Sequence, residues 1–491
     1  MIDTKALKDK ILDLAMRGKL TPQDPNDEPA SELLKRIKAE KEKLINQKKI
    51  KREKNGSEIF QGDDGLHYEK FADGTIKEIE VPYELPEGWA WANLNQVTNI
   101  VMGSSPSGNN IYNKPILNCV EFHQGKSHFS EVYVNESKKW TTEITQLIET
   151  DAVLMSVRAP VGDVNIINRP IVIGRGIAGL IPQINIKYLF YYLSLEKEGL
   201  EQNASGSTFR SITVKGIKKH LIAVPPLNEQ TRIIKQINKS LVLVCAIKQN
   251  QNELNLISTN LKQKILDISM QGKLIPQNIN DEPASILLDK IRAEKQKLFK
   301  EGKIKKKDLE EIQPTLDEDN AYYQNQPIGW TQTQLKTVIV LTSGRDLPSD
   351  KYYDDCKTGV PYITGANNFS KDTINTNRYT CEPETLAYKG NILLSVKGTI
   401  GKIAQSPYEK AHIARQIMAI DSLLMSSSFV KYFLEWKVPY LQFLARSMIP
   451  GISRTDILNL TILCPPLNEQ YRIVGLLTLI YQYIESIELS V

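Results

Sequence analysis

Cys119, His123 and His128 lie close together in the sequence and are the side chains best suited to holding a metal ion. Thiolate and imidazole groups are the usual ligands of structural zinc, which takes four of them. No Cys-x-x-Cys pair supplies a fourth ligand, and the matching stretch of a second, internally repeated copy lacks all three residues. The sequence therefore favours ordinary loop and core positions for these side chains over a zinc site.

Sequence motifs of enzymes are missing from the chain. There is no G-x-x-x-x-G-K-[ST] phosphate loop, and Gly-Thr-Ile-Gly-Lys at 398–402 is too short to be one. No G-x-G-x-x-G follows a predicted strand, no His-Glu-x-x-His occurs, and the Asn/Asp-Pro-Pro-aromatic motif expected of an amino-methylating enzyme is absent. His67, His220 and His412 stand alone, which favours structural roles for them. We predict no catalytic residues and no metal site; the alternative is a stand-alone nuclease or methyltransferase with an unrecognised site.

Composition describes an ordinary globular protein. The 491 residues suggest roughly two to four domains. The net charge of +5, from 62 basic and 57 acidic residues, neither demands nor excludes nucleic acid. Five cysteines without a Cys-x-x-Cys pair suggest a reducing compartment, no apolar signal-peptide core opens the chain, and the apolar run 473–484 is shorter than a membrane span. We expect a cytoplasmic protein with no membrane contact.

The chain contains two copies of one design. KDKILDLAMRGKL at 8–20 returns as KQKILDISMQGKL at 262–274, and NDEPAS follows both. PPLNEQTRII at 225–234 returns as PPLNEQYRIV at 465–474. Weaker matches between these blocks are Gly88-Trp89 with Gly329-Trp330, 153–162 with 392–401, and 173–180 with 413–420. Each copy is therefore a repeated frame around a divergent interior.

A long helix is predicted between the repeated blocks, because residues 228–271 contain neither proline nor glycine and their apolar side chains recur at steps of three and four. About 40 helical residues span roughly 60 Å. The second copy of this helix is split between 470–491 and 1–18, so we expect the two chain ends to meet and rebuild it. Two such apolar stripes can pack antiparallel.

The remaining pattern predicts an α+β fold with two globular domains, at 82–226 and 320–466. Strands such as 152–157 and 392–396 alternate with turns, and short helices are predicted at 188–195 and 429–435. The frame comprises 1–54, 227–319 and 467–491, and 55–81 is an inserted linker with a hairpin at 67–80. Basic helices are predicted at about 31–54 and 285–307. Their lysines either contact DNA phosphates or belong to solvated faces that also carry glutamates.

Two divergent domains that each end in PPLNEQ-x-RI, joined by a long helix ending in Gly-Lys-Leu and then NDEPA, resemble the specificity subunit of type I restriction–modification systems. The resemblance covers nearly the whole chain and departs from the common layout only in starting with the frame. It implies two target recognition domains that each read half of a bipartite DNA site, with antiparallel helices setting the gap.

The resemblance also implies partners. Two modification subunits would methylate adenine with S-adenosylmethionine, and motor-nuclease subunits would cleave unmethylated DNA using ATP and Mg²⁺. The chain itself would bind none of these cofactors. The alternative is a DNA-binding or scaffold protein outside restriction.

DNA contacts fall into two predicted classes, since phosphate contacts position a protein while base contacts specify the sequence. The matched pairs Arg158/Lys397 and Arg175/Arg415 are either phosphate contacts or structural ion pairs. The divergent loops 103–110, 205–211, 345–353, 365–371 and 446–454 are predicted base readers, with arginine suited to guanine and asparagine to adenine. Their candidate residues are Ser104, Ser105, Ser107, Ser207, Thr208, Arg210, Arg345, Asn367, Asn368, Arg446 and Arg454.

Overall fold

The computed structural model describes residues 2–48, 56–202, 211–309, 326–354, 358–370, 373–445 and 451–490. Ser207, Thr208, Arg210 and Arg446 lie outside the described residues. The chain divides into an N-terminal unit, Ile2–Asn250, and a C-terminal unit, Gln251–Val491. Each unit holds helices and sheets together, which confirms the predicted α+β class.

The elements of the N-terminal unit, in chain order, are α1 Thr4–Met16, α2 Ala30–Asn46, β1 Ser57–Gln61, β2 His67–Phe71, β3 Ile76–Glu78, β4 Ala90–Asn93, α3 Leu94–Val97, β5 Thr98–Met102, β6 Ile111–Tyr112, β7 Val120–His123, β8 Trp140–Thr141, β9 Leu147–Ile148, β10 Ala152–Ser156, β11 Val164–Ile167, β12 Ile171–Ile173, β13 Ile177–Pro182, α4 Ile186–Leu195, α5 Lys197–Gln202, α6 Val214–Lys219, β14 Leu221–Val224 and the first part of α7 Leu227–Met270.

The C-terminal unit begins within α7 and continues with α8 Ala284–Lys300, β15 Thr331–Gln334, α9 Leu335–Val338, β16 Val340–Ser343, β17 Tyr353–Asp354, β18 Val360–Ile363, β19 Phe369–Ser370, β20 Thr373–Ile374, β21 Arg378–Thr380, β22 Leu386–Tyr388, β23 Ile392–Ser395, β24 Ile403–Gln405, β25 Lys410–Ile413, β26 Ile417–Asp421, α10 Ser427–Leu444, α11 Arg454–Leu458, β27 Thr461–Cys464 and α12 Leu467–Ser490.

The predicted long helix is present as α7, whose 44 residues form one helix. It ends where the sequence indicates, because Gly272 takes a φ of +69°, a left-handed conformation that stops a helix. The same arrangement closes α1, where Gly18 has a φ of +65°. The first 24 residues of α7 belong to the N-terminal unit and the remainder to the C-terminal unit.

Each unit packs its own half of α7 against one of the terminal helices. In the N-terminal unit, Leu12 and Met16 of α1 share a buried core with Ile233 and Ile237 of α7. In the C-terminal unit, residues of α12 such as Ile473 and Leu477 share a core with Leu266 and Met270. The apolar stripe of α7 is thus covered near both ends of the helix, whereas Ile257 and Leu261 are exposed. The meeting of the two chain ends would join the units and stays a prediction.

Helix α12 is longer than the apolar run 473–484 that marks it in the sequence. By length and composition it is apolar enough to span a membrane, with a mean hydropathy of 1.2 over its most apolar 18 residues, of which 17% are buried. Its Ile473, Leu477 and Ile484 are buried within the C-terminal unit. These side chains give the helix a packing role inside the unit.

The two units share one sheet plan. A four-stranded antiparallel sheet has the order β11-β10-β13-β5 in one and β16-β26-β23-β24 in the other. A five-stranded mixed sheet has the order β6-β8-β7-β12-β9 and β17-β21-β18-β25-β22, with one parallel pair in each, β7 with β12 and β18 with β25. Two-stranded pairs β4–β14 and β15–β27 close the domains beside the frame.

The inserted hairpin predicted at 67–80 is formed by β2 and β3. Its turn is stabilised by the side chain of Asp73, which accepts from the backbone N–H of Thr75 at 2.9 Å. A third strand, β1, extends it into a three-stranded antiparallel sheet that the sequence analysis missed. The pattern Ser-Glu-Ile-Phe-Gln buries only Ile59 and so carries a weak strand signal.

Three predicted helices have different ends in the structure. The basic helices end at Asn46 and Lys300, short of 54 and 307, because Lys48 and Gly302 take positive φ angles of 56° and 71°. The helix predicted at 429–435 runs from Ser427 to Leu444 and contains Pro439, a residue type that usually ends or kinks a helix. Buried side chains on both sides of this proline, such as Phe433 and Leu441, keep the helix packed across it.

Candidate nucleic-acid interface

Loops from the four-stranded and the five-stranded sheet of the N-terminal unit meet at one edge. The backbone N–H of Gly103 donates to Ile177 at 2.9 Å, that of Ser104 to Ile173 at 2.9 Å, and that of Gly176 to Gln124 at 3.2 Å. These bonds join the loop after β5, the loop after β7 and the turn between β12 and β13. The structure therefore brings Ser104, Ser105 and Arg175 together.

Ser105 serves as a joint within this edge. Its hydroxyl donates to Oε1 of Gln124 at 2.9 Å and accepts from the backbone N–H of Arg175 at 3.2 Å. The hydroxyl is thus used inside the protein, whereas the side chains of Ser104 and Arg175 are exposed. Of the three, Ser104 and Arg175 are the ones presented to a ligand.

Arg158 joins the same edge from the end of β10. The backbone N–H of Val157 donates to Gly176 at 3.0 Å, and Arg158 forms an isolated β-bridge with Ser211. The Arg158 side chain is exposed. It therefore lies beside the turn that carries Arg175.

Ser107 lies in a different setting from Ser104 and Ser105. Its backbone N–H donates to the Glu143 carboxylate at 2.9 Å, and Asn110 donates to the same oxygen at 2.8 Å. The Asn110 hydrogen bond, then the Ser107 one, lowers the pKa of Glu143. An anion at this point repels phosphate but can accept from a cytosine amine. Ser107 is therefore poorly placed to contact the phosphate backbone of DNA.

The C-terminal unit repeats the arrangement. Gly344 donates to Ile417 at 3.0 Å, Arg345 to Ile413 at 2.9 Å, and Val396 to Gln416 at 2.8 Å, all through backbone N–H groups. Lys397 forms the isolated bridge with Gly451 that corresponds to the bridge of Arg158. The exposed side chains brought together at this edge are those of Arg345, Lys397 and Arg415.

A matched pair of glycines allows the loops to approach this closely. A Cβ atom on Gly103 would lie 2.1 Å from the carbonyl oxygen of Gly174, and one on Gly344 would lie 2.1 Å from that of Ala414. Neither contact is sterically possible, and in both cases the neighbour is backbone. The edge therefore depends on glycine at both positions.

The matched cations were expected to make either phosphate contacts or structural ion pairs, and within the described residues one of the four forms an ion pair. Arg415 pairs with Asp346, with Nε 2.7 Å from Oδ2, while 68% of the Arg415 side chain remains exposed. An exposed ion pair is worth about 0–1 kcal/mol, so a phosphate can compete for this guanidinium. Within the described ranges, Arg158, Arg175 and Lys397 form no ion pair.

Two predicted base readers are instead used inside the C-terminal unit. Oδ1 of Asn368 accepts from the backbone N–H of Thr364 at 2.9 Å, and its Nδ2 donates to Asn375 at 3.0 Å. Arg454 donates through Nη2 to Asp308 at 3.1 Å and through Nη1 to the carbonyl of Leu341. Both side chains hold loops in place, because their polar atoms already have partners. Asn367 is exposed and remains the adenine candidate.

Sequence reasoning missed two glutamines at these edges. Gln124 accepts from Ser105, and Gln416 occupies the turn where the first copy has Gly176; both are exposed. Glutamine can pair with adenine through two hydrogen bonds. No spacing marks either residue in the sequence, although the change from Gly176 to Gln416 within a matched block was a usable signal.

The repeated PPLNEQ-x-R motif joins each recognition domain to its helix. Oε1 of Gln230 accepts from the backbone N–H of Asn185 at 2.8 Å, and its Nε2 donates to Pro225 at 2.9 Å. Gln470 makes the same two bonds, to Ser426 and Pro465, both at 3.0 Å. The motif therefore has a structural role that explains its presence in both copies.

The glutamate and arginine of the motif complete this joint. Glu229 is buried, accepts from Nε1 of Trp89 at 2.9 Å, and has a pKa raised by burial. Burial also raises the pKa of Glu469, its counterpart. Arg232 pairs with Asp27 and Arg472 with Asp281, each at 2.5 Å. The NDEPA loop is thus bound to the beginning of α7 in the N-terminal unit and to the beginning of α12 in the C-terminal unit.

The lysines of the repeated Ala-Glu-Lys motif fit neither of the two roles considered for the basic helices. Nζ of Lys41 donates to the carbonyls of Asn95 and Thr98, the latter at 2.9 Å. Nζ of Lys295, which is 5% exposed, donates to the carbonyls of Lys336 and Asp308. Each lysine binds the short helix that opens the recognition domain, so these two are clamps rather than phosphate contacts.

The residues first considered as metal ligands have protein partners. Nε2 of His123 lies 2.7 Å from Oε1 of Glu121, and the thiol of Cys119 accepts from the backbone N–H of Ile116 at 3.1 Å. In the portion of the chain that the structure describes, no group of three or more His, Cys, Asp or Glu side chains is placed to hold a metal ion.

Comparison with known proteins gives one consistent family. The model of the type I restriction modification DNA specificity domain matches residues 86–257 and 327–489. The EcoEI type I restriction enzyme specificity subunit of Escherichia coli is 30% identical over 399 residues, 68% of this chain and 62% of that protein. The EcoAI specificity subunit of Escherichia coli is 30% identical over 425 residues, 74% and 66% of the two chains.

The chain therefore spans about two thirds of the length of these curated relatives. A solved structure concerned with complex assembly and conformational transition of the type I R-M system contains a chain with a similar fold. The TM-score is 0.56 at 20% identity, over 83% of this chain and 94% of that one. This likeness supports the fold described above.

Proposed function

Because the chain belongs to the type I restriction modification DNA specificity family, we propose that it is the DNA-reading, non-catalytic subunit of a type I restriction–modification complex. Each unit reads one half of a bipartite double-stranded site through its loop edge. The length of α7 sets the gap between the halves. The protein works in the cytoplasm.

The observation that carries this proposal is the pair of matched edges. Arg158 and Arg175 in one unit correspond to Lys397 and Arg415 in the other, and all four are exposed. Cations at equal places suit contacts with the phosphate backbone, which is the same in every sequence.

The side chains between these cations differ from one edge to the other. The N-terminal edge presents Ser104 and Gln124, whereas the C-terminal edge presents Arg345 and Gln416. Polar groups that differ on a shared scaffold are what the reading of two unlike half-sites requires, because base edges carry the sequence information.

Exposed apolar side chains on α7 and α12 support the proposed partners. Several large apolar side chains of α7 and α12 are exposed, namely Val242, Leu243, Leu256, Ile257, Leu479, Tyr483 and Ile487. Apolar surface of this kind marks a protein–protein contact. We assign it to two modification subunits, which methylate adenine with S-adenosylmethionine. Motor-nuclease subunits that use ATP and Mg²⁺ complete the complex, and this chain binds none of these cofactors itself.

Exchange of one recognition domain tests the proposal. Residues 82–226 are replaced by the corresponding domain of another specificity subunit, and adenine methylation is mapped genome-wide in cells that also carry the modification subunits. The expected result is a new first half-site, with the second half-site and the gap unchanged.

Absence of sequence-specific adenine methylation by the wild-type complex would overturn the proposal in favour of a DNA-binding protein outside restriction. Methyl transfer or cleavage by the purified chain alone, with DNA, Mg²⁺, ATP and S-adenosylmethionine, would establish the stand-alone enzyme instead.

A further inference from the structure

Resting on the proposed function, we propose that His412 is a positioning residue that sets the base preference of Arg345 in the C-terminal unit. His412 lies in β25 and is wholly buried, so it cannot touch DNA itself. Its ring joins two loops at the edge of the recognition domain. One of them carries Arg345.

Chemistry fixes the protonation of the His412 ring. Nδ1 lies 3.1 Å from the backbone nitrogen of Thr385 and 3.3 Å from that of Glu384, and both of these groups are donors only. Nε2 lies 2.9 Å from the carbonyl oxygen of Arg345, which is an acceptor only. Nδ1 therefore accepts, Nε2 carries the proton, and the neutral ring satisfies both loops at once.

The backbone of Arg345 is held on both sides. Its carbonyl accepts from His412, and its N–H donates to the carbonyl of Ile413 at 2.9 Å. Two residues further on, the N–H of Leu347 donates to the hydroxyl of Tyr362 at 3.2 Å. The Tyr362 ring packs on the His412 ring with centroids 4.8 Å apart. His412 is thus the centre of a small buried cluster that fixes the position of the Arg345 Cα, from which the side chain extends.

An arginine needs such support when it reads a base. Two parallel hydrogen bonds to the O6 and N7 atoms of guanine tolerate little displacement, and a well-placed pair discriminates between bases by roughly 10- to 100-fold. The Arg345 side chain is exposed, whereas both peptide groups that flank its Cα are fixed. Loss of the His412 bond would free the peptide that follows Arg345. The preference for the cognate base at one position of the half-site would then fall.

The arrangement belongs to one unit. The matched blocks 173–180 and 413–420 place Val172 where the second copy has His412, and valine offers no polar atom. In the N-terminal unit the corresponding loop is fastened to Gln124 and to the turn at Arg175 by the hydroxyl of Ser105, the counterpart of Asp346. Changes at His412 should therefore affect the second half-site and leave the first as an internal control.

Two substitutions separate the two ends of the ring. His412→Asn places an amide near Nδ1, where it can accept from Thr385, but it is too short to reach Arg345. His412→Gln extends to the position of Nε2 and can donate to the Arg345 carbonyl. We expect His412→Asn to lower the preference for the cognate base at one position of the second half-site on the order of tenfold. His412→Gln should keep most of the preference.

The experiment measures adenine methylation by the complete complex on duplexes that carry each base at every position of both half-sites. Both variants are also combined with Arg345→Ala, because residues that act through one another give non-additive effects. In that background His412→Asn should change nothing further at the second half-site. Thermal unfolding of each chain checks that the variants fold.

Three results would overturn the proposal. One is an unchanged base preference in His412→Asn, and another is an equal loss in both His412 variants. The third is a loss that adds fully to that of Arg345→Ala, which indicates a merely structural histidine.

If His412→Asn fails to fold, Tyr362→Phe removes the neighbouring bond to Leu347 and should lower the base preference at the same position of the second half-site. An unchanged preference there counts against the proposal. A wild-type complex with no base preference at either half-site would defeat the proposed function itself.

Discussion

The backbone N–H of Arg415 donates to Oδ1 of Asp346 at 3.0 Å, while the guanidinium Nε of the same residue lies 2.7 Å from Oδ2. In the N-terminal unit the corresponding backbone N–H, that of Arg175, donates to the neutral hydroxyl of Ser105. The two edges thus hold the same turn by different means. At the C-terminal edge the carboxylate of Asp346 holds the guanidinium that the proposed function assigns to a phosphate.

Asp346→Asn should therefore strengthen binding of the complex to DNA of any sequence. The amide oxygen can still accept from the Arg415 N–H, but the negative charge is gone and the guanidinium is released to a phosphate. The effect should be a few-fold at low salt and should shrink as salt is raised. Titration of the complex with cognate and random duplexes at several salt concentrations measures it. An Asp346→Asn complex that binds more weakly would show that the ion pair supports the edge.

Arg158→Gln and Lys397→Gln should each weaken binding to cognate and random duplexes by the same factor. Each loses one phosphate contact, so the slope of log K against log salt should fall by about 0.9. The base preference at both half-sites should stay as in the wild type. Lys297→Gln, in a lysine that is 65% exposed on α8, is the matched control. A shift in base preference without a change in slope would identify Arg158 or Lys397 as a base reader.

Lys295→Met should destabilise the C-terminal unit without changing the salt dependence of DNA binding. Methionine fills similar space but leaves the carbonyls of Lys336 and Asp308 without their buried donor, which costs about 1–3 kcal/mol. Lys41→Met should do the same in the N-terminal unit. Denaturant unfolding of each variant tests this, with Lys297→Met as the control. An altered salt slope with unchanged stability would return these lysines to the phosphate contacts.

Lys41 and Lys295 show which structural features can be predicted from the sequence and which cannot. Periodicity and repetition predict α7 and the two α+β domains, because each depends on many residues in a regular order; the helix split between the two chain ends stays a prediction. Lys41 and Lys295 were seen as members of a basic face, since a sequence does not show which lysine meets the carbonyls of a helix more than 40 residues away. Local patterns carry no information on such long-range partners.

The same limit applies to the candidate interface. Matched blocks placed Arg158 and Lys397, and Arg175 and Arg415, in equivalent positions. The structure puts Arg158 and Arg175 at the edge of the N-terminal unit and Lys397 and Arg415 at the corresponding edge of the C-terminal unit. Whether the polar atoms of a loop residue face solvent or the loop itself depends on the turn it adopts. Asn368 and its exposed neighbour Asn367 are the same residue type in one loop, but only the amide of Asn368 closes the turn.

Mild acid should destabilise the N-terminal unit through His220. Burial lowers the pKa of this histidine to about 4, and its Nε2 is 3.7 Å from the Glu196 carboxylate. Since the folded state holds the neutral ring, its contribution is complete above pH 6.5 and is lost as the pH falls toward 4. The loss is at most roughly 3 kcal/mol. The free energy of unfolding should fall less over this range in His220→Gln than in the wild type.

The comparison of the two proteins isolates His220, because Glu196, whose pKa burial raises, is present in both. Unfolding in denaturant at pH 7, 6, 5 and 4 provides the measurement. Parallel pH curves for wild type and variant would show that the ring is protonated in the folded state or exposed to water.

Lengthening α7 should widen the gap between the half-sites without altering either one. Insertion of four residues between Val244 and Leu254 adds about 6 Å and slightly more than one helical turn, so the apolar stripe stays nearly in phase. A shift of 6 Å corresponds to roughly two base pairs along DNA. The loop edges lie in sheets that the insertion does not touch, so the bases that are read should be those of the wild type.

Genome-wide mapping of methylated adenines in cells with the modification subunits measures the gap directly. An insertion of two residues is the matched control, since it turns the stripe by about half a turn and should abolish methylation. If the four-residue variant methylates sites with the original gap, or changes the bases while keeping the gap, α7 is not what sets the distance.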